Sequence, residues 1–178
     1  PDPTKLGNAA QAELMRDALR MKLRSGAGPF RSFGNLGVSP RPYQLVPLLM
    51  ALKMPVTRLL VADDVGIGKT IEASLVVREL FDRGEISRFA VLCPPHLVDQ
   101  WTGELKRHFH FSAVALTGRT VTRLERDIPA GESIFDHYKA VVISLDYIKS
   151  EKHRDNFLSA APEFIVVDEA HTCSHGGV

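Results

Sequence analysis

Short apolar runs beyond residue 57 constrain the fold more than any other feature of the chain. They are RLLVA (58–62), FAVLC (89–93), AVVIS (140–144) and FIVVD (164–168), with a weaker fifth, SAVAL, at 112–116. Apolar residues follow one another in these runs instead of alternating with polar ones, so we expect strands buried on both faces, as in a parallel sheet. Helical patterns separate several of the runs, and this alternation indicates an open α/β sheet.

Two of the intervening helices have clear apolar faces. Ile71 pairs with Leu75, and the helix that contains them should end at Gly84, because glycine readily adopts the left-handed conformation of a helix end. In the next helix Leu97, Trp101 and Leu105 recur every four residues. This spacing favours a core position for Trp101 over an exposed stacking surface.

The residues before the first run divide into three parts. Residues 8–23 have helical periodicity, and residues 25–39 hold four glycines and read as a linker. A second helix is predicted within 41–54, starting late or kinked because Pro47 would clash inside an established helix. We therefore expect an N-terminal helix and linker over 1–39 and a folded domain over 40–178.

Overall composition leaves the binding partner open. The chain has 178 residues, 44% of them hydrophobic, and a net charge of only +1, so a basic groove for nucleic acid would have to be local. Cys93 and Cys173 are far apart and have no CxxC spacing, which is typical of free thiols in a reducing cytoplasm. No apolar stretch is long enough to span a bilayer, and we expect a soluble, cytoplasmic protein with no membrane partner.

The segment ADDVGIGKTIEA, residues 62–73, resembles a phosphate-binding loop with one departure. Walker A loops have a glycine five residues before the Gly-Lys-Thr, and here that position is Asp63. The loop lies between a predicted strand and a predicted helix, where open α/β sheets bind ligands. Backbone N–H groups at Gly66 and Gly68 could approach phosphate oxygens, Lys69 could reach the β- and γ-phosphates, and the Thr70 hydroxyl could bind Mg²⁺.

An acidic pair follows the last apolar run. Asp168 could hold Mg²⁺ through water, and Glu169 could orient or deprotonate the attacking water. Such a pair is by itself common at a solvated strand end. About a hundred residues after Gly-Lys-Thr and in an α/β pattern, it indicates a nucleoside triphosphatase. The clusters HFH (108–110) and HTCSH (171–175) make poor tetrahedral sites, so we expect no metal other than Mg²⁺.

Five ordered motifs resemble those of superfamily-two helicase-like ATPases. They are RPYQ (41–44), DDVGIGKTIEA (63–73), LCPPHLVDQW (92–101), VVISLDYI (141–148) and VVDEAH (166–171). They are similar to the Q-type motif and motifs I, Ia, Ib and II of the Swi/Snf family of double-stranded-DNA translocases, in which an acidic pair often replaces the first Walker A glycine. GKTIEA and PPHLVDQW are similar to bacterial members, including those that act with RNA polymerase or in DISARM phage-defence systems.

The resemblance implies an α/β, RecA-like P-loop fold: a mainly parallel open sheet with helices on both faces, incomplete at the C-terminus. It implies ATP and Mg²⁺ as cofactors, with ATP bound between this lobe and a second RecA-like lobe. Duplex DNA is the implied substrate, and RNA polymerase or defence-system subunits are possible partners. An isolated chain would leave an empty slot between RLLVA and FIVVD, so we expect a displaced FIVVD, a borrowed strand or a larger parent.

The resemblance also implies roles for individual residues. Gln44 would read the adenine edge, and Arg41 or Tyr43 would flank the base. His171 would couple the ATP site to the DNA-facing motifs. The residues implied to bind the nucleotide are therefore Arg41, Tyr43, Gln44, Asp64, Gly66, Ile67, Gly68, Lys69 and Thr70. Those implied to face the DNA backbone are Pro95 and His96 within 94–97, together with Arg119 and Ser144.

Two other functions remain open from the sequence. The letters DEAH at 168–171 also occur in RNA helicases, so an RNA helicase lobe is one alternative. A binding module that keeps the fold without catalysis is the other. The acidic pair before the loop and PPHLVDQW favour the DNA-translocating group.

Overall fold

The computed structural model describes residues 30–61 and 68–170, and a four-stranded parallel sheet organises them. The strands are β1 (Phe89–Cys93), β2 (Val114–Leu116), β3 (Ala140–Ser144) and β4 (Phe164–Val167), in the order β2-β3-β1-β4. All three pairings are parallel. The predicted α/β class and four of the five predicted strands are confirmed.

Seven α-helices lie within the described residues, most of them between strands or beside them. Their bounds are α1 (Val46–Ala51), α2 (Lys69–Arg83), α3 (Val98–Phe109), α4 (Val121–Arg126), α5 (Ile134–His137), α6 (Leu145–Ile148) and α7 (Glu151–Ser159). Short 3₁₀ helices cover Ser32–Asn35, Pro42–Leu45 and Pro95–Leu97. The predicted late start of the helix around Pro47 is confirmed, because α1 begins at Val46 and Pro47 lies in its first turn.

Helix α2 ends where the sequence predicts. Gly84 follows its last residue with φ +74°, and its N–H donates to the carbonyls of Leu80 and Phe81. This is the left-handed helix end that glycine adopts without steric cost. The predicted helix at residues 8–23 and the motif at 171–175 lie outside the described residues.

The sheet is covered on both faces, as a strand with apolar residues at every position requires. Phe89, Val91 and Cys93 face one core, which includes side chains from α1, α2 and α3. Ala90 and Leu92 face a second core built from β3, α4, α5 and α7. Alternate residues of β1 thus enter opposite cores, and all five are buried. The predicted placement of helices on both faces is confirmed.

The prediction of a strand at RLLVA is wrong for residues 58–61. These residues form no strand, and the side chain of Leu60 is 80% exposed. Of the three outcomes expected for FIVVD, a displaced strand does not occur, because β4 pairs with β1 from Phe164 to Val167. The physical reason is that a strand needs a hydrogen-bonded partner, and β4 finds one in β1 whereas 58–61 pairs with no strand of the described chain.

The described end of the predicted linker packs against the first core. The N–H of Arg31 lies 2.8 and 2.9 Å from the two carboxylate oxygens of Glu79, and the N–H of Ser32 lies 2.8 Å from Oε2 of Glu79. The N–H of Gly37 donates to the carbonyl of His108 over 2.7 Å. This part of the segment is therefore held by hydrogen bonds, although the domain boundary at residue 39 stays a prediction.

Arg88 joins three segments at the amino ends of the strands. Its Nη1 lies 2.6 Å from Oδ1 of Asp136 and 3.0 Å from the carbonyl oxygen of Phe135, both within α5. Its backbone N–H donates to Glu163 over 2.8 Å, immediately before β4. These contacts fix the end of the sheet opposite the predicted site.

None of the helices in residues 30–61 and 68–170 is long and apolar enough to cross a membrane.

Candidate nucleotide and nucleic-acid site

The predicted DNA-facing residues and the acidic pair collect at the carboxyl edge of the sheet. All four strands are parallel, so their carboxyl ends meet at one edge. Ser144 ends β3 and pairs in register with Cys93, the last residue of β1. Asp168 follows β4, and its N–H donates to the carbonyl of Leu92 over 2.8 Å. The structure therefore places the motif Ia, Ib and II residues side by side.

The strand order separates two kinds of predicted residue along this edge. Arg119 follows β2 at one end of the sheet, and Asp168 follows β4 at the other. Pro95 and His96 lie between them and are exposed, as is Arg119. Ser144 is buried, with only 4% of its surface exposed, so its side chain is the least accessible of the predicted DNA-facing group.

The predicted phosphate loop is described only at its end. Residues 62–67 fall outside the described chain, and with them Asp64, Gly66 and Ile67. Gly68 has φ +103° and immediately precedes α2, whose first two residues are Lys69 and Thr70. The N-terminal end of a helix carries partial positive charge and unpaired N–H groups, which suit a phosphate.

Gln44, the predicted adenine-reading residue, lies against this loop end. A Cβ atom on residue 68 would come within 2.6 Å of Nε2 of Gln44. Oε1 of Gln44 accepts a hydrogen bond of 2.9 Å from the N–H of Arg41, which orients the amide. Gln44 is 8% exposed, whereas Tyr43 is 42% exposed and can meet a ligand from solvent.

Asp168 is the most constrained acidic group of the site. Its Oδ1 accepts from the N–H of Glu169 over 2.9 Å, and its Oδ2 accepts from the indole Nε1 of Trp101 over 2.7 Å. Glu169 itself is exposed and has φ +52°, an uncommon conformation for a residue other than glycine. This backbone conformation turns the chain sharply at Glu169, so the carboxylates of Asp168 and Glu169 point in different directions.

Cys93 lies beneath this acidic pair and is not a reactive thiol. Burial, together with the negative charge of Asp168, raises the pKa of Cys93 to about 12. The side chain is fully buried at the end of β1. At neutral pH the group is therefore a protonated thiol that packs in the core.

The chemistry of the predicted donor residues fits Mg²⁺. Asp168 offers a half-buried carboxylate and Thr70 a hydroxyl, and Mg²⁺ takes one or two such oxygens while keeping water and substrate phosphates as its other ligands. Across residues 30–61 and 68–170, no group of three or more His, Cys, Asp or Glu side chains could hold a metal ion. A site completed by nucleotide phosphates has no need of such a cluster.

Sequence reasoning missed two structural contacts, one at the acidic pair and one on α2. Trp101 is 3% exposed, which confirms its predicted core position, but its bond to Asp168 was not foreseen. A signal existed, because a buried indole N–H nearly always finds an acceptor. Glu79 was not singled out either, although a carboxylate on the buried face of a helix requires partners.

Comparisons with known proteins agree with this geometry. The family model described as the SNF2-related domain matches residues 43–176. The RNA polymerase-associated protein RapA of Sodalis glossinidius is 32% identical over 172 residues, which cover 92% of this chain and 17% of that protein. An uncharacterized ATP-dependent helicase of Bacillus subtilis, YqhH, is 31% identical over 133 residues, covering 75% of this chain and 22% of that protein.

A solved structure supports the fold. The Sulfolobus solfataricus SWI2/SNF2 ATPase core in complex with dsDNA superposes with a TM-score of 0.59 at 20% identity, covering 78% of this chain and 27% of that chain. This likeness confirms the predicted RecA-like α/β fold. The chain spans about a fifth of the length of the two relatives described above.

Proposed function

Because the chain belongs to the SNF2-related family, we propose that it is the ATP-binding part of an ATPase that moves on duplex DNA. The observation that carries the proposal is the contact between Gln44 and Gly68 at the start of α2. It joins the residue suited to a base to the residues suited to phosphates. The full-length protein supplies the activity, with a second RecA-like lobe closing over the nucleotide.

The nucleotide-binding roles follow the chemistry of each group. Lys69 would neutralise charge on the β- and γ-phosphates, and the backbone N–H of Gly68 would face them. Asp64, Gly66 and Ile67, outside the described residues, are proposed to contribute to the same loop. Gln44 reads the adenine edge. Arg41 and Tyr43, both exposed, flank the base.

Hydrolysis needs a positioned water and neutralised charge more than covalent chemistry. Glu169 orients the water and accepts its proton. Thr70 and Asp168 would hold Mg²⁺, which when bound neutralises charge on the phosphate oxygens. The exposure of Glu169 beside the half-buried Asp168 supports this division, because the more exposed carboxylate is more accessible to water.

DNA would lie over the opposite stretch of the carboxyl edge. Pro95, His96, Arg119 and Ser144 come from three adjacent strand ends, which supports one continuous track for a phosphate backbone. Backbone contacts of this kind position a protein without reading sequence. His171, beyond the described residues, would couple this track to the ATP site.

The wider setting is also a proposal. Several relatives are named for association with RNA polymerase, which makes RNA polymerase a candidate partner of the full-length protein. Defence-system subunits are a second candidate, on the resemblance alone. A cytoplasmic location fits either partner.

One experiment separates this function from the alternatives. ATP hydrolysis by the full-length protein is measured with duplex DNA, with RNA and with no polynucleotide, each over a range of salt. We expect stimulation by duplex DNA that falls steeply as salt rises, since counterion release drives such binding. Stimulation by RNA alone would instead identify an RNA helicase, and absence of hydrolysis under all conditions a non-catalytic module.

A further inference from the structure

Trp101, the single tryptophan of the chain, donates a hydrogen bond to Asp168, the first residue of the acidic pair. It lies on α3, which packs against the sheet face that also contacts α2. Trp101 is only 3% exposed, yet its Nε1 lies 2.7 Å from Oδ2 of Asp168. A core side chain thus extends to the carboxylate proposed to hold Mg²⁺.

Three hydrogen bonds fix Asp168 in one orientation. Its backbone N–H is held by the carbonyl of Leu92, and Oδ1 by the N–H of Glu169. Without Trp101 the carboxylate could still rotate, since the remaining side-chain bond involves one oxygen only. The indole bond engages the second oxygen and so removes this freedom.

We propose that Trp101 is a positioning residue for the Mg²⁺ site, acting through Asp168. An N–H bond to a carboxylate is charge-assisted, and such bonds are among the stronger hydrogen bonds in proteins. Partners that orient a metal ligand typically change metal affinity or activity by about 10–100-fold when removed. The inference rests on the proposed function only in taking Asp168 as a Mg²⁺ ligand.

A spectroscopic test can follow Trp101 directly, and the Trp101→Phe variant is needed only to assign its signal. The full-length protein is labelled with fluorotryptophan, and the fluorine resonance of Trp101 is assigned as the one missing from Trp101→Phe. We expect Mg²⁺ with ADP to shift this resonance. Asp168→Asn should move it and abolish the Mg²⁺-dependent shift, whereas Asp99→Asn, an exposed carboxylate on the same helix, should leave both unchanged.

The kinetic test compares Trp101→Phe with Phe109→Leu, which removes apolar contact from the same helix without touching Asp168. Trp101→Phe should raise the Mg²⁺ concentration for half-maximal ATP turnover about tenfold. Phe109→Leu should lower thermal stability and leave that concentration unchanged.

The outcomes separate this inference from the proposed function. A Trp101 resonance that is identical in wild type and Asp168→Asn would overturn the inference, even in an active enzyme. Equal Mg²⁺ dependence of Trp101→Phe and Phe109→Leu would also overturn it and leave Trp101 a core residue only. A Mg²⁺-dependent resonance in a protein that hydrolyses no ATP would support the inference while refuting the proposed activity.

Discussion

Gly68 and Gln44 are in direct contact, and no side chain fits between them. A Cβ atom on residue 68 would lie 2.6 Å from Nε2 of Gln44 and 3.8 Å from Cγ1 of Ile71. The Q-type motif and the end of the phosphate loop therefore form one surface. Two features favour glycine at position 68: the close approach of Gln44, and a backbone φ of +103° that other residues rarely adopt.

We predict that Gly68→Ala abolishes nucleotide binding without unfolding the domain. The backbone strain is about 1–3 kcal/mol, and the new methyl group displaces Gln44 as well. Gly103→Ala is the matched control, because Gly103 lies within α3 with open space around it. That change should raise stability by roughly 1 kcal/mol and leave binding intact. Calorimetric titration with ADP measures the affinity of both variants, and thermal unfolding measures their stability. Unchanged ADP affinity in Gly68→Ala would refute the contact.

Glu79 should make part of the stability dependent on pH. Burial raises its pKa, but hydrogen bonds from Arg31, Ser32 and Arg83 outweigh burial and hold the pKa below its usual value. A lowered pKa in the folded state stabilises the protein above the unfolded pKa, and the contribution is lost as pH falls through the folded value.

We expect Glu79→Gln to destabilise the domain at neutral pH by about 1.5–3 kcal/mol, the range for hydrogen bonds to a charged group. The deficit should shrink in acid, where the wild type loses the same contribution. Urea unfolding at several pH values measures this. Glu151→Gln, an exposed carboxylate on α7, should show neither effect. A deficit that is constant with pH would show that the charge of Glu79 has no part in it.

Arg88 provides a test of the opposite end of the sheet. Arg88→Ala removes its contacts to Asp136, Glu163 and the carbonyl of Phe135, and should cost about 1 kcal/mol. Lys149→Ala breaks a pair with Asp146 in which the side chains are 74% and 63% exposed, and should cost under about 0.5 kcal/mol. Equal losses in thermal unfolding would mean that the three-way arrangement adds nothing.

Glu169→Gln should separate binding from hydrolysis. The amide keeps the size of the side chain but cannot accept a proton, so ADP affinity should persist while turnover stops. Glu163→Gln removes a carboxylate beside the amino end of β4 and should leave turnover unchanged. Loss of affinity together with turnover in Glu169→Gln would make Glu169 a structural residue.

Local pattern predicted much of this fold. Continuous apolar runs located β1 and β3 to the residue, because a strand buried on both faces is apolar along nearly its whole length. Proline and glycine chemistry likewise predicted the late start of α1 and the end of α2. Each of these features is determined by the residues within the strand or helix itself.

Features that depend on partners were less predictable. Residues 58–61 have a strand-like composition but lack a strand to pair with in the described chain. The Trp101 bond to Asp168 spans 67 positions and arises from the packing of α3 on the sheet. The acidic pair could be predicted from its position after the last apolar run. Trp101, which orients Asp168, could be identified only from the tertiary structure.

The most direct test of the account is ATP turnover by the full-length protein with saturating duplex DNA, compared between wild type and Lys69→Ala. Lys69 opens α2 at the end of the phosphate loop, and losing its charge should lower turnover by on the order of a hundredfold or more. Lys106→Ala, an exposed lysine on α3, should turn over ATP at the wild-type rate. DNA-stimulated hydrolysis that disappears only in Lys69→Ala is the predicted result. Turnover by Lys69→Ala at the wild-type rate would contradict the assignment of this loop to the nucleotide.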